Sequence, residues 1–115
     1  MQKEIYISNN REKRLIWLIE QMIKEKETGH KCYYLGSKYS YKQMLYNLDK
    51  CGRKDIELLY IDKESSPGSS LDKVFTNDLT WEVASIFPIA VRNLIGMNNT
   101  WYITINSEGA KVDAQ

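Results

Sequence analysis

The chain reads as a single α/β domain, three-layered, with a mostly parallel sheet of four or five strands. Three observations predict it. Ile5 and Ile7 alternate with Tyr6 and lead into a long segment with apolar residues at helical spacing. Cys32 to Leu35 is continuously apolar or aromatic, as in a strand buried on both faces, and a second amphipathic segment follows it. Trp101, Ile103 and Ile105 then alternate with Tyr102 and Thr104. Strands separated by helices require crossover connections, which make neighbouring strands parallel. The domain spans residues 1 to 107, and the polar residues 108 to 115 form a peripheral tail.

The elements follow in order. Asn9, with Glu12 three residues on, forms a capping box for the first helix, whose apolar stripe is Leu15, Ile16, Ile19, Met22 and Ile23. Gly29 ends it in the left-handed cap position. The second strand, Lys31 to Ser37, runs into a helix capped by Ser40 with Gln43 and striped by Tyr41, Met44, Leu45 and Leu48 as far as Gly52. Ile56 to Asp62 is a third strand, and residues 63 to 71, with Pro67, Gly68 and four serines, are a loop. Val74 to Thr76 is a short strand. Leu79, Val83, Ile86 and Phe87 then stand at helical spacing, with Pro88 kinking or splitting that helix before Gly96. Asn98-Asn99 turns the chain into the last strand.

Composition sets further bounds. At 115 residues the chain is long enough to bury one core unaided, and eight Tyr with three Trp are too many for a disordered segment. The formal charge is +1, but residues 1 to 63 carry 13 Lys/Arg against 9 Asp/Glu, whereas residues 64 to 115 carry 3 against 6. That asymmetry lets the first half face a polyanion without providing the dense basic patch of a dedicated nucleic-acid binder. Cys32 and Cys51 read as reduced, packed thiols, and one His with two Cys gives no metal-site spacing. No apolar run approaches 18 residues, and Met1-Gln2-Lys3-Glu4 enters a strand directly instead of a signal sequence, so a soluble, cytoplasmic protein without membrane contact is expected.

The succession of strand, loop, helix, strand with Leu35-Gly36-Ser37-Lys38-Tyr39-Ser40, then a strand with acidic end at Asp78 and a last strand Ile103-Thr104-Ile105-Asn106-Ser107 resembles the P-loop NTPase core, particularly that of helicases and phage terminases. A Rossmann-like sheet is the related architecture, although no G-x-G-x-x-G turn is present. The resemblance implies that the first loop holds phosphates, that Asp78 stands at the acidic strand end organising Mg²⁺, and that Thr104 or Asn106 is the polar sensor. In the G-x-x-x-x-G-K-[ST] register, Lys13 matches the phosphate-binding lysine, but Ile7 and Glu12 occupy the glycine positions and Arg14 the hydroxyl position. Glycine lets backbone N–H groups curl around phosphate; a β-branched residue and a carboxylate oppose the conformation and the charge. Leu79 replaces the usual second acid. ATP with Mg²⁺ is the cofactor the family implies, and these departures argue against hydrolysis.

The expected function is therefore a small, catalytically inactive NTPase-like module working through protein or nucleic-acid contacts in DNA transactions, of a phage or mobile element. Two rivals stand beside it. One is an enzyme binding a nucleotide or other phosphorylated ligand at the carboxyl edge of the sheet, where Asn9, Asn10, Lys13, Gly36, Ser37, Asp62, Asp78 and Thr104 are the candidate ligand residues. The other is a plain protein-binding adaptor. Simpler roles compete at single residues: Lys13 as a solvent-facing lysine, Asp78 as the N-cap of a helix beginning near Leu79, and His30 as a turn residue. Lys38, Tyr39 and Lys42 form the candidate nucleic-acid contact, because aromatic and basic side chains interleave in single-strand sites. No catalytic residue and no metal ligand is assigned.

Overall fold

The computed structural model of the chain describes residues 2–61, 73–79 and 100–107. Strands β1 (Gln2–Ser8), β2 (Cys32–Leu35), β3 (Leu58–Ile61), β4 (Lys73–Leu79) and β5 (Thr100–Asn106) form one sheet in the order β1-β5-β4-β2-β3. Every pairing is parallel, so all five carboxyl ends share one edge. Helices α1 (Arg11–Glu27) and α2 (Lys38–Lys50) follow β1 and β2. The first strand lies at the sheet margin, not in the interior as in the Rossmann and flavodoxin-like orders.

Both helices pack on the same face. Leu18, Ile19 and Met22 of α1 and Met44 and Leu48 of α2 share one apolar cluster with Cys32, Tyr34, Leu58, Phe75 and Tyr102 of the sheet. On the opposite face Leu35, Ile61, Val74, Trp101, Ile103 and Ile105 form a second buried cluster. The central strands are thus apolar on both faces, which explains the unbroken hydrophobic run in β2 and is compatible with a three-layered sandwich. At the margin Tyr6 stacks on Trp17 at 5.4 Å between ring centroids.

Both glycine stops end their helices as expected. Gly29 (φ 84°) and Gly52 (φ 71°) sit in the left-handed region. His30 N–H donates to Glu25 O at 3.0 Å and Arg53 N–H to Leu48 O at 2.8 Å, the wider bond of a Schellman turn in each case. The helix starts differ from expectation. Asn10, not Asn9, caps α1 by accepting from Lys13 N–H, because β1 continues through Ser8. Ser37, not Ser40, caps α2 by accepting from Ser40 N–H, which adds a first turn holding Lys38 and Tyr39. Either serine fits a capping pattern; the earlier one leaves the Ser40 hydroxyl to bond Tyr34.

Other expectations also shift. The buried line of α1 is Arg14, Leu18, Met22 and Glu25, together with Ile19, while Ile16 is half exposed. Leu45 leaves the apolar stripe of α2 and faces solvent. Cys32 is packed as expected, but Cys51, at the C-cap of α2, is exposed. Asp78 is no helix cap: it lies within β4 at an irregularity between Thr76 and Leu79. Asp62, the loop at 63 to 71, the helical pattern from residue 80 to Gly96 with Pro88, and the tail from Glu108 lie outside the described residues.

Candidate functional site at the carboxyl edge

The carboxyl ends of β1 and β4 are tied together by one buried cation, and β5 joins them through Thr104. Arg14, in the first turns of α1, is only 4% exposed. Its Nε donates to Asp78 Oδ1 at 2.7 Å, and its Nη1 to the carbonyl oxygen of Ser8 at 2.8 Å. Asp78 is the only non-glycine with positive φ among the described residues, at 59°. Aspartate tolerates this left-handed conformation better than most residues, yet holding it there still costs on the order of 1 kcal/mol. Its surroundings fix it. Asp78 N–H donates to Thr104 Oγ1 at 2.8 Å, and that fully buried hydroxyl donates to Asn77 Oδ1.

A second arm reaches β2. The Tyr34 hydroxyl shares a hydrogen bond with Ser40 of α2. Burial pushes the Tyr34 phenol up, against that hydrogen bond, and the Asp78 charge adds to the rise. The phenol therefore stays neutral and acts as a structural strut. Tyr60 hydroxyl donates to the Gly36 carbonyl at 3.0 Å, and a Cβ at Gly36 would stand 3.0 Å from Tyr34 Cε2. The missing side chain at residue 36 is thus explained by the Tyr34 ring.

Of the residues expected here, Asn10, Ser37, Gly36, Asp78 and Thr104 do lie at the carboxyl edge, and the structure joins Asp78 directly to Thr104. Asn9 and Lys13 are exposed, and Lys13 contributes its backbone N–H to the cap. Lys38, Tyr39 and Lys42 are exposed on α2. Sequence reasoning did not foresee Arg14, Tyr34 and Asn77 as members. A signal existed for Arg14: it stands four and eight residues before Leu18 and Met22, on the buried line of α1.

A second polar cluster lies at the opposite edge. Glu25, almost fully buried, accepts from the Tyr102 hydroxyl, has His30 Nδ1 3.2 Å from its Oε1, and has Lys73 Nζ 3.7 Å from its Oε2. Burial pushes this carboxyl up, but the Tyr102 hydrogen bond and the Lys73 and His30 charges outweigh it, so it titrates below the ordinary glutamate range. Beside it, burial and the Glu25 charge push the Cys32 thiol up to about 12, which makes it an inert packing group. His30 sits here, remote from the carboxyl edge, in the turn role expected of it.

Among the described residues no three His, Cys, Asp or Glu side chains gather as a metal site requires. No described helix is long and apolar enough to cross a membrane. The fold and the edge define an α/β protein with an all-parallel five-stranded sheet and a cation-closed carboxyl edge. No family model, curated protein or solved structure matches the chain.

Proposed function

We propose that the protein is an NTPase-like module without hydrolytic activity, acting through protein or nucleic-acid contacts in DNA transactions, with Arg14 as a built-in cation at the carboxyl edge. The observation that carries this reading is the 2.7 Å bond between Arg14 and Asp78. In the family this chain resembles, the position of Arg14 holds a hydroxyl and that of Asp78 an acid, and the two serve one Mg²⁺. Here a guanidinium neutralises the acid directly. A divalent cation at Asp78 would have to displace a buried, hydrogen-bonded arginine whose charge repels it, so Mg²⁺ does not fit these residues. Adjacent placement of β4, β5 and β1 brings Asp78, Thr104 and the loop at Asn9-Asn10 to neighbouring strand ends, which supports the resemblance. Ile7 and Glu12, where glycines would stand, oppose a phosphate cradle.

Purified protein is expected to release no phosphate from Mg·ATP above background. Turnover that disappears in Lys13→Ala would overturn the reading and leave the enzyme alternative. One feature favours that alternative: the chain leaves β2 toward β3 and β4 toward β5, in opposite directions, so the β2 and β4 carboxyl ends flank a topological switch point. A small phosphorylated ligand there would meet the Ser37 cap and strained Asp78 without needing a metal.

A further inference from the structure

The outer face of α2 carries an arrangement that the carboxyl-edge site does not use. Tyr39, Lys42, Tyr46 and Lys50 stand at i, i+3, i+7 and i+11, on one exposed helical face, with Lys38 at its start. Tyr39 is 74% exposed and Tyr46 62%, a large aromatic area to leave in water. Seven residues separate them, about 10 Å along the axis at 1.5 Å per residue. Beyond Tyr46 the face opens into a cleft of about 360 Å³, where Leu45, Tyr46 and Ile56 supply apolar walls and Arg53, Lys54 and Asp49 the polar ones.

Electrostatics point the same way. The two acids near the cleft are already engaged: Asp49 pairs with Lys54 at 3.5 Å, and Asp55 takes Lys26 at 2.8 Å and Arg53 at 3.3 Å. Arg53 Nε is buried and finds no hydrogen-bond partner among the described residues, although a guanidinium N–H seldom goes unpaired. Lys38, Lys42 and Lys50 form no ion pair among the described residues, so the face keeps a surplus of positive charge interleaved with aromatic rings.

We infer that single-stranded nucleic acid binds along this face, bases stacking on Tyr39 and Tyr46, phosphates meeting Lys42, Lys50 and Arg53, and one nucleotide entering the cleft. The inference extends the contact half of the reading above and leaves Arg14 and Asp78 untouched, so its failure does not bear on the closed edge, nor the reverse. Stacking on aromatic faces tolerates any base, so the preference is for single strands over duplex and not for a sequence.

The test is fluorescence anisotropy of a labelled oligothymidylate over a salt series. Three or four phosphate contacts give a slope of log K against log salt of about −2 to −3 for a single strand. Tyr46→Ala should weaken binding by about fivefold or more, while Tyr46→Phe, which keeps the ring, should bind about as the parent does. Lys42→Glu with Lys50→Glu should flatten the slope by at least about 1.4. Tyr46 is exposed, so a melting curve for each variant confirms that folding is retained. No binding at low salt, equal binding by Tyr46→Ala, or competition by polyglutamate as effective as by the oligonucleotide would each overturn the inference, the last in favour of an acidic protein partner.

Discussion

Asp78→Ala is expected to destabilise the protein by about 3 kcal/mol, whereas Asp78→Asn should cost about half as much or less. Two losses add in the alanine variant. Arg14, 4% exposed, keeps its buried charge with Ser8 O as its one remaining acceptor among the described residues, and burying a charge after removing its partner is among the costliest single changes. Alanine also fits the left-handed φ of 59° worse than aspartate, by roughly 1 kcal/mol. The Asp78 side chain is 35% exposed, which moderates the electrostatic share. Asparagine tolerates the backbone and retains an acceptor for Arg14 Nε. A double-mutant cycle of Asp78→Asn with Arg14→Met, followed by urea unfolding, should give a coupling between about 0.5 and 3 kcal/mol. Additive effects would mean that the pair does not hold the edge together.

Glu25→Ala should cost a similar amount, about 3 kcal/mol, because it leaves the buried Tyr102 hydroxyl without its acceptor and Lys73 without its counter-charge. Its signature is pH dependence. A carboxyl whose folded pKa lies below its unfolded value contributes stability above the unfolded pKa and loses it as pH falls through the folded one. With an ordinary value of 4.5 and a downward shift, the parent should lose stability progressively below that pH. In Glu25→Gln the amide keeps an acceptor for Tyr102 but cannot titrate, so the acid limb should be shallower. Denaturant unfolding at neutral and acid pH checks this; identical limbs in parent and variant would remove Glu25 from the account.

Much of the architecture was legible in the sequence because helix and strand periodicities are local. The parallel sheet, both long helices, their glycine stops and the last strand follow from apolar spacing and from backbone preferences that each residue carries with it. The helix starts were less legible. Ser37 and Ser40, like Asn9 and Asn10, are chemically equivalent caps in sequence, and the choice is made by Tyr34, which recruits Ser40, and by β1, which runs to Ser8. Asp78 misled for a related reason: an aspartate before an apolar helical pattern reads as a cap, while pairing with β5 draws it into a strand and Thr104 fixes its backbone. Arg14 and Glu25 were hard to read as core residues: Arg14 stands at the buried spacing of α1, but a charged side chain on a helix is ordinarily solvated, and their partners lie 64 and 77 residues away. Asn10, Gly36, Ser37, Asp78 and Thr104 were therefore readable as positions at one edge. The chemistry there, a guanidinium paired with the Asp78 carboxylate, was not.

Thermal unfolding of the unmodified protein with saturating ATP, with and without Mg²⁺, tests that chemistry most directly. A ligand at about a hundred times its Kd adds about 2.7 kcal/mol, a rise on the order of 10 °C for a domain of this size. With Arg14 paired to Asp78, the melting temperature should not respond to Mg²⁺ in the presence of ATP. A rise of that order requiring ATP and Mg²⁺ together would contradict the account, because it would mean that a metal–nucleotide complex displaces the arginine.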